Sequence, residues 1–145
     1  MLTDTQKRFV LDLARMAVVE QVTGERAAEP AGCELPAASG VFVTLKARGA
    51  LRGCLGTLQC RDGLAPDVLR CAADAASADP RFAAVSAGEL PEIAIEVSVL
   101  GPLEEIDPLE PSAIASRIPF ASAAWPPGVT LPKKSSGRLL RVSVA

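Results

Sequence analysis

The residues best suited to chemistry are concentrated in the run Leu51-Arg52-Gly53-Cys54-Leu55-Gly56-Thr57. Alternate residues of an extended strand share a face, so Arg52 and Cys54 are predicted to be neighbours about 6.6 Å apart. A guanidinium at that distance favours the thiolate form of a cysteine when both side chains are partly desolvated. The run therefore predicts Cys54 and Arg52 as catalytic residues, with Cys54 as the most reactive thiol of the chain.

The same run also has a structural interpretation. Cysteine is among the residue types most often buried, and Arg52 can simply pair with a surface carboxylate. Gly53 and Gly56 weaken a strand, and one reason to keep such glycines is the close approach of a ligand or of another backbone. They are therefore predicted to be binding positions in a crevice beside Cys54, while a purely structural Cys54 stays open as the alternative.

Composition removes several kinds of active site. The chain has no histidine and no tyrosine, which excludes a Ser-His-Asp triad, a Cys-His dyad and an imidazole proton shuttle within it. A Cys54 thiolate would need a carboxylate base such as Glu96, a group of the substrate, or a partner protein. Nucleophilic chemistry is thus possible only in an unusual form.

Cysteine spacing argues against metals and disulfides. The four cysteines, at positions 33, 54, 60 and 71, form no C-x-x-C pair, and no histidine can complete a zinc shell. No metal is expected, and no phosphate loop or dinucleotide motif implies a cofactor. The start of the chain has no basic segment followed by an apolar one, so we expect a cytoplasmic protein with free thiols and no membrane association.

Hydrophobic periodicity predicts an α+β domain in which helices flank an antiparallel sheet. A capping box from Thr3 to Gln6 predicts a first helix that ends near Gly24. The other predicted elements are a hairpin of residues 41–45 and 50–58, a helix over 62–78 and a strand over 93–100.

The composition changes sharply after Glu110. All seventeen acidic residues lie at or before it, so residues 1–110 carry a charge of −7 and residues 111–145 a charge of +5. This Pro- and Ser-rich basic segment shows weak periodicity, which is typical of poor order. Nucleic-acid binding is disfavoured, because five charges over 35 residues make a loose patch and aromatic residues amount to only 3%.

Several motifs together resemble the AMMECR family. They are Gly40–Lys46, Leu51–Thr57, Ala78-Asp79-Pro80-Arg81-Phe82, Glu89-Leu90-Pro91, Ile95–Leu100 and Pro102–Ile106. The resemblance implies an α+β fold whose larger and smaller lobes form a cleft, with Gly53, Gly56, Thr57, Asp79 and Arg81 as binding positions. It also implies association with a Memo-like protein and a radical-SAM protein, the AmmeMemoRadiSam system.

The resemblance covers residues 1–110, and residues 111–145 are expected to be a divergent or incomplete end, through a truncation or a change of reading frame. Two functions remain open. The chain is either an enzyme or enzyme component that uses a cleft containing Cys54, or a non-catalytic adaptor that binds a partner and has Cys54 as a packing residue.

Overall fold

The computed structural model describes residues 2–102 and, as backbone, 141–144. Its elements are α1 (Asp4–Thr23), β1 (Gly40–Ala47), β2 (Ala50–Thr57), α2 (Leu64–Ser77), a short 3-10 helix (Ala87–Glu92), β3 (Ile93–Leu100) and β4 (Arg141–Val144). The predicted α+β class is confirmed, and the two helices, the hairpin and the strand over 93–100 lie where the periodicity places them.

The sheet has the strand order β2-β1-β3-β4, and all neighbouring strands are antiparallel. The hairpin of β1 and β2 turns at Arg48 and Gly49, which both have positive φ angles of 51° and 81°. Such angles match the right-handed twist of the strands that the turn connects. The pairing of β1 with β2 shifts between Leu45 and Lys46, so β2 contains one extra residue there.

Helices α1 and α2 pack on one face of the sheet. The predicted capping box is confirmed, because Thr3 and Gln6 each bind the backbone of the other, and Gly24 ends α1 in the left-handed conformation at φ 72°. The core includes Val10, Val18, Val41, Val43, Leu45, Val68 and Val97, which are fully buried. Alternate residues of β1 and β3 therefore face the helices, and the residues between them lie on the outer face of the sheet.

Strand β4 is a finding that the sequence did not predict. Residues 141–144 pair with residues 97–100 of β3, although they lie in the segment for which poor order was expected. Residues 103–140 and 145 lie outside the described residues, together with the other expectations for the C-terminal segment. Among the helices that the structure describes, none has the length and apolar character to cross a membrane.

Candidate functional site

Cys54 lies in the middle of β2 on the outer face of the sheet. Its side chain is partly exposed, and its cross-strand neighbour on β1 is Thr44. The Sγ atom of Cys54 lies 3.2 Å from the Oγ1 atom of Thr44, within hydrogen-bonding distance. The thiol is thus reachable from the surface and has a hydroxyl as its nearest polar side-chain partner.

The backbone of Cys54 is held by two side chains from the turn that follows α2. Its N–H donates to Oδ2 of Asp79 at 2.9 Å, and its carbonyl oxygen accepts from Nη2 of Arg81 at 3.2 Å. The structure therefore brings together three of the predicted site residues, although Asp79 and Arg81 bind the main chain of Cys54 and not its thiol.

Asp79 is a buried carboxylate, only 4% exposed. Arg81 donates to it through Nε at 3.0 Å and Nη2 at 2.7 Å, and its own backbone N–H adds a bond of 3.1 Å. The Arg81 guanidinium, helped by the Cys54 N–H, holds the pKa of Asp79 well below its usual range. Asp79 is therefore a charged hydrogen-bond acceptor at neutral pH, which suits it to fixing a backbone and not to proton transfer.

The guanidinium of Arg52 has other partners than the thiol of Cys54 with which it was predicted to pair. Its Nε and Nη2 atoms donate to Glu89 at 2.8 and 3.2 Å, and Nη1 and Nη2 donate to the carbonyl oxygens of Ala83 and Ala84. This arrangement agrees with the structural interpretation, in which Arg52 pairs with a surface carboxylate. Its cause is structural, because Arg52 is the extra residue at the register shift in β2.

The glycines of the motif permit close packing and do not line an open crevice. A Cβ on Gly53 would lie 2.1 Å from the carbonyl oxygen of Ala75 in α2, and one on Gly56 would lie 2.4 Å from the ring of Phe42. The close approach that such glycines permit is made here by the protein's own backbone and side chains, while a ligand-binding role of Gly53 and Gly56 stays a prediction.

Thr57 lies apart from the other predicted positions. Its hydroxyl accepts from the N–H of Gln59 at 3.1 Å and donates to the carbonyl oxygen of the same residue at 3.0 Å. This local turn ends β2. Thr57 also lines a polar cavity near the start of α2.

Glu96, the carboxylate considered as a base, is not a direct partner of Cys54. In the cross-strand register Thr44 lies between Glu96 on β3 and Cys54 on β2. The Glu96 carboxylate instead accepts from Nζ of Lys46 at 2.6 Å. Thr44 therefore separates the Cys54 position from the Glu96 position across the sheet.

Two further residues of this region, Glu89 and Thr44, were not predicted from the sequence. A signal for Glu89 existed, because Ser86 and Glu89 have the spacing of a capping box and form one at the 3-10 helix. Nothing in the sequence distinguishes Thr44 from other strand residues. In the described part of the chain, no group of three or more acidic or cysteine side chains could hold a metal ion.

Comparison with known proteins shows the family to which the sequence is similar. The AMMECR1 family model matches residues 11–130, twenty residues beyond residue 110, where the resemblance was expected to end. A protein of Methanothermobacter thermautotrophicus is 34% identical over 142 residues, covering 91% of this chain and 73% of that relative. A protein of Methanosarcina acetivorans is 38% identical over 113 residues, covering 74% of this chain and 57% of that relative.

The fold has a counterpart among solved structures. The crystal structure of the uncharacterized protein PH0010 from Pyrococcus horikoshii has a TM-score of 0.63 and 33% identity, and the match covers 73% of this chain. The chain spans only 56% of that protein and 57% of the Methanosarcina relative. The family match covers most of the chain, and the solved structure shares the fold of the matched part. The chain therefore belongs to the AMMECR1 family.

Proposed function

We propose that this chain is a non-catalytic adaptor domain that binds the Memo-like and radical-SAM proteins of an AmmeMemoRadiSam system. The observation that carries the proposal is the pairing of Arg52 with Glu89. The Arg52 guanidinium, which was predicted to favour the Cys54 thiolate, is instead matched by a carboxylate.

The remaining motif residues support an architectural role for the motif. Gly53 admits the backbone of α2, and Gly56 lies under the ring of Phe42. Asp79 and Arg81 hold the main chain of Cys54. These contacts fix the position of β2, and a sheet surface with a fixed backbone suits recognition of a preformed partner.

The proposed contact surface is the outer face of the sheet around Cys54. It presents the partly exposed Thr44 and Cys54 beside the ion pair of Lys46 and Glu96, whose side chains are 37% and 45% exposed. Such a surface combines neutral polar groups with one charge of each sign. Its charges would orient a complementary partner more than they would add to affinity.

Binding of the purified full chain to each partner protein, measured by biolayer interferometry, tests the proposal. We expect Lys46→Glu to weaken binding at least about tenfold, by placing a second negative charge beside Glu96. Lys7→Glu on α1 is the matched control and should bind like the unmodified chain, as should Cys54→Ser. The adaptor function is wrong if neither partner binds, or if the two Lys variants bind equally.

An enzymatic function is the second candidate, and one observation favours it. The Cys54 thiol is partly exposed and lies 3.2 Å from the Thr44 hydroxyl, so a small electrophile can reach it. In that case Cys54→Ser abolishes turnover by the assembled proteins while leaving their binding intact. Unchanged turnover in this variant excludes the enzymatic role of the thiol.

A further inference from the structure

The outer face of β2 has an exposed apolar side chain at each end. Leu51 and Leu58 are the exposed large hydrophobic residues among those that the structure describes, at 41% and 53%. Leu51 is the cross-strand partner of Lys46, and cross-strand partners share a face of the sheet. Leu58 follows Gly56 by two positions, just beyond the end of β2, and continues the same face. Both leucines therefore lie on the face that carries the Cys54 thiol.

The apolar surface continues between the two leucines. Cys54 is partly exposed there, and so is Phe42 on β1. The ring of Phe42 lies against Gly56, where an added Cβ would be 2.4 Å from it. We call the band formed by Leu51, Cys54, Phe42 and Leu58 the β2 stripe. A continuous exposed apolar band of this kind marks a surface that binds another molecule.

The length of the β2 stripe fits an α-helix. Leu51 and Leu58 are seven positions apart in the chain, and one of these positions, Arg52, is the extra residue at the register shift. The remaining six residues span about 20 Å when they are extended. A helix of about 13 residues has this length. Its apolar side chains, repeated at every third or fourth position, would contact the stripe from one end to the other.

The width of the β2 stripe favours a helix over a second sheet. The partly exposed ion pair of Lys46 and Glu96 lies next to the stripe on the same face. A sheet stacked on this face would cover the ion pair and remove it from water, which is unfavourable. A helix that lies along β2 covers only the stripe and leaves the ion pair in contact with solvent.

The two sides of the β2 stripe are positively charged. Lys46 lies beside the stripe on β1, and its partner Glu96 is one strand further away on β3. Arg81 lies on the other side of β2, and 55% of its side chain is exposed. The carboxylate partner of Arg81 is Asp79, whose side chain is only 2% exposed. A helix on the stripe therefore has cationic side chains along both sides, and acidic residues complement them.

We propose that the β2 stripe binds an acidic amphipathic helix of a partner protein, an inference that rests on the adaptor function proposed above. The apolar residues of the helix cover Leu51, Leu58 and the centre of the stripe. Its acidic residues face Lys46 and Arg81. Burial of the two leucines supplies the largest apolar contribution to binding, because they are the most exposed apolar side chains of the stripe.

Binding of each partner protein to leucine variants of the full chain, measured by biolayer interferometry, tests the proposal. Leu51→Ser and Leu58→Ser should each weaken binding at least about tenfold, because each removes an apolar side chain from the contact. Leu51→Met keeps the apolar area and should bind nearly as tightly as the unmodified chain. Val19→Ser changes a partly exposed residue of α1, on the opposite side of the sheet, and is the control.

The helix site and the adaptor function fail in different ways. If a partner binds and both Leu→Ser variants bind it as tightly as Val19→Ser does, the helix site is wrong and the adaptor function stands. If neither partner binds the unmodified chain, both are wrong. Because Leu51 and Leu58 are exposed, their variants should keep the fold, and melting curves check this.

The secondary structure of the bound segment is tested separately. Hydrogen exchange of the partner identifies the segment that the chain protects, and a synthetic peptide of this segment is then titrated with the chain. The bound peptide should show helical circular dichroism, and its affinity should fall as salt is added, because acidic residues face Lys46 and Arg81. A peptide that binds without a helical signal, or with an affinity independent of salt, overturns the proposal.

Discussion

The guanidinium of Arg52 holds the carboxylate of Glu89 through two N–H groups, at 2.8 and 3.2 Å. The Arg52 side chain is 17% exposed and that of Glu89 is 34% exposed. Glu89 also accepts from the backbone and the hydroxyl of Ser86. This pair fastens the segment before β3 to the edge strand β2, and so joins two distant parts of the chain.

The pair predicts a component of acid denaturation. The Arg52 hydrogen bond, followed by those from Ser86, lowers the pKa of Glu89 from 4.5 to about 2. A carboxylate with a lowered pKa in the folded state stabilises the fold above its unfolded pKa, and this contribution disappears as the pH falls through the folded value. Glu89→Gln should therefore have a lower Tm than the unmodified chain at pH 7, and this difference should shrink between about pH 4.5 and pH 2.

Melting curves across this pH range measure the effect, with Glu92→Gln as the control. Glu92 pairs with Arg48, whose side chain is 80% exposed, so this ion pair should contribute little to stability. A Tm difference for Glu89→Gln that stays constant down to pH 2 would contradict the prediction.

The contact of Gly53 with α2 predicts a cost for any side chain at this position. An added Cβ would lie 2.1 Å from the carbonyl oxygen of Ala75, so strand and helix must separate. Overpacking of this kind destabilises a protein by about 1–3 kcal/mol. Urea denaturation of Gly53→Ala should therefore show a free energy of unfolding that is lower by about this amount. Gly88→Ala has open space around its Cβ and serves as the control. Equal stabilities of the two variants would contradict the packing role.

The four thiols are expected to differ in reactivity. Burial raises the pKa of Cys71, and burial together with the charge of Asp67 raises the pKa of Cys60 from 9.0 to about 11. A rise of about two units lowers the thiolate fraction of Cys60 about a hundredfold at pH 8. Iodoacetamide should therefore label the partly exposed Cys33 and Cys54 first.

Peptide mapping by mass spectrometry after brief labelling gives the order of reaction, and labelling in denaturant supplies the reference for equal reactivity. The Cys60 rate should rise steeply as the pH approaches about 11. Fast labelling of Cys60 at pH 8 would show that its thiol is not protected.

The support that Asp79 gives to Cys54 can be tested on its own. Asp79→Ala removes the acceptor of the Cys54 N–H and leaves Arg81 without its carboxylate partner. Tm should fall, and Cys54 should be alkylated faster because its backbone is no longer held. Asp62→Ala, an exposed residue, is the control and should change neither quantity. An unchanged Cys54 labelling rate in Asp79→Ala would show that this contact does not position the cysteine.

Local patterns were sufficient to predict most of the elements. The capping box at Thr3, the hairpin turn at Arg48 and Gly49, and the alternation in β3 each record an interaction between residues close in sequence. Strand β4 escaped prediction because four residues carry too little periodicity, and because its partner β3 lies about 40 residues earlier in the chain.

The members of the candidate site were predicted only in part, and its geometry was not predicted. Cys54, Asp79 and Arg81 do come together. The direction of the Arg52 side chain did not follow from strand alternation, because the register shift in β2 and the distant Glu89 determine it. Neither is visible in a window of neighbouring residues.

The bonds from Asp79 and Arg81 to the main chain of Cys54 have a consequence for the molecule in a crowded cell. Strand β2 forms one border of the sheet, where vacant amide and carbonyl groups invite a strand of another molecule to add on. At Cys54 both groups are already occupied by side chains that cannot continue a β-ladder. This border is thereby blocked in its middle, which discourages the growth of intermolecular sheets and aggregation.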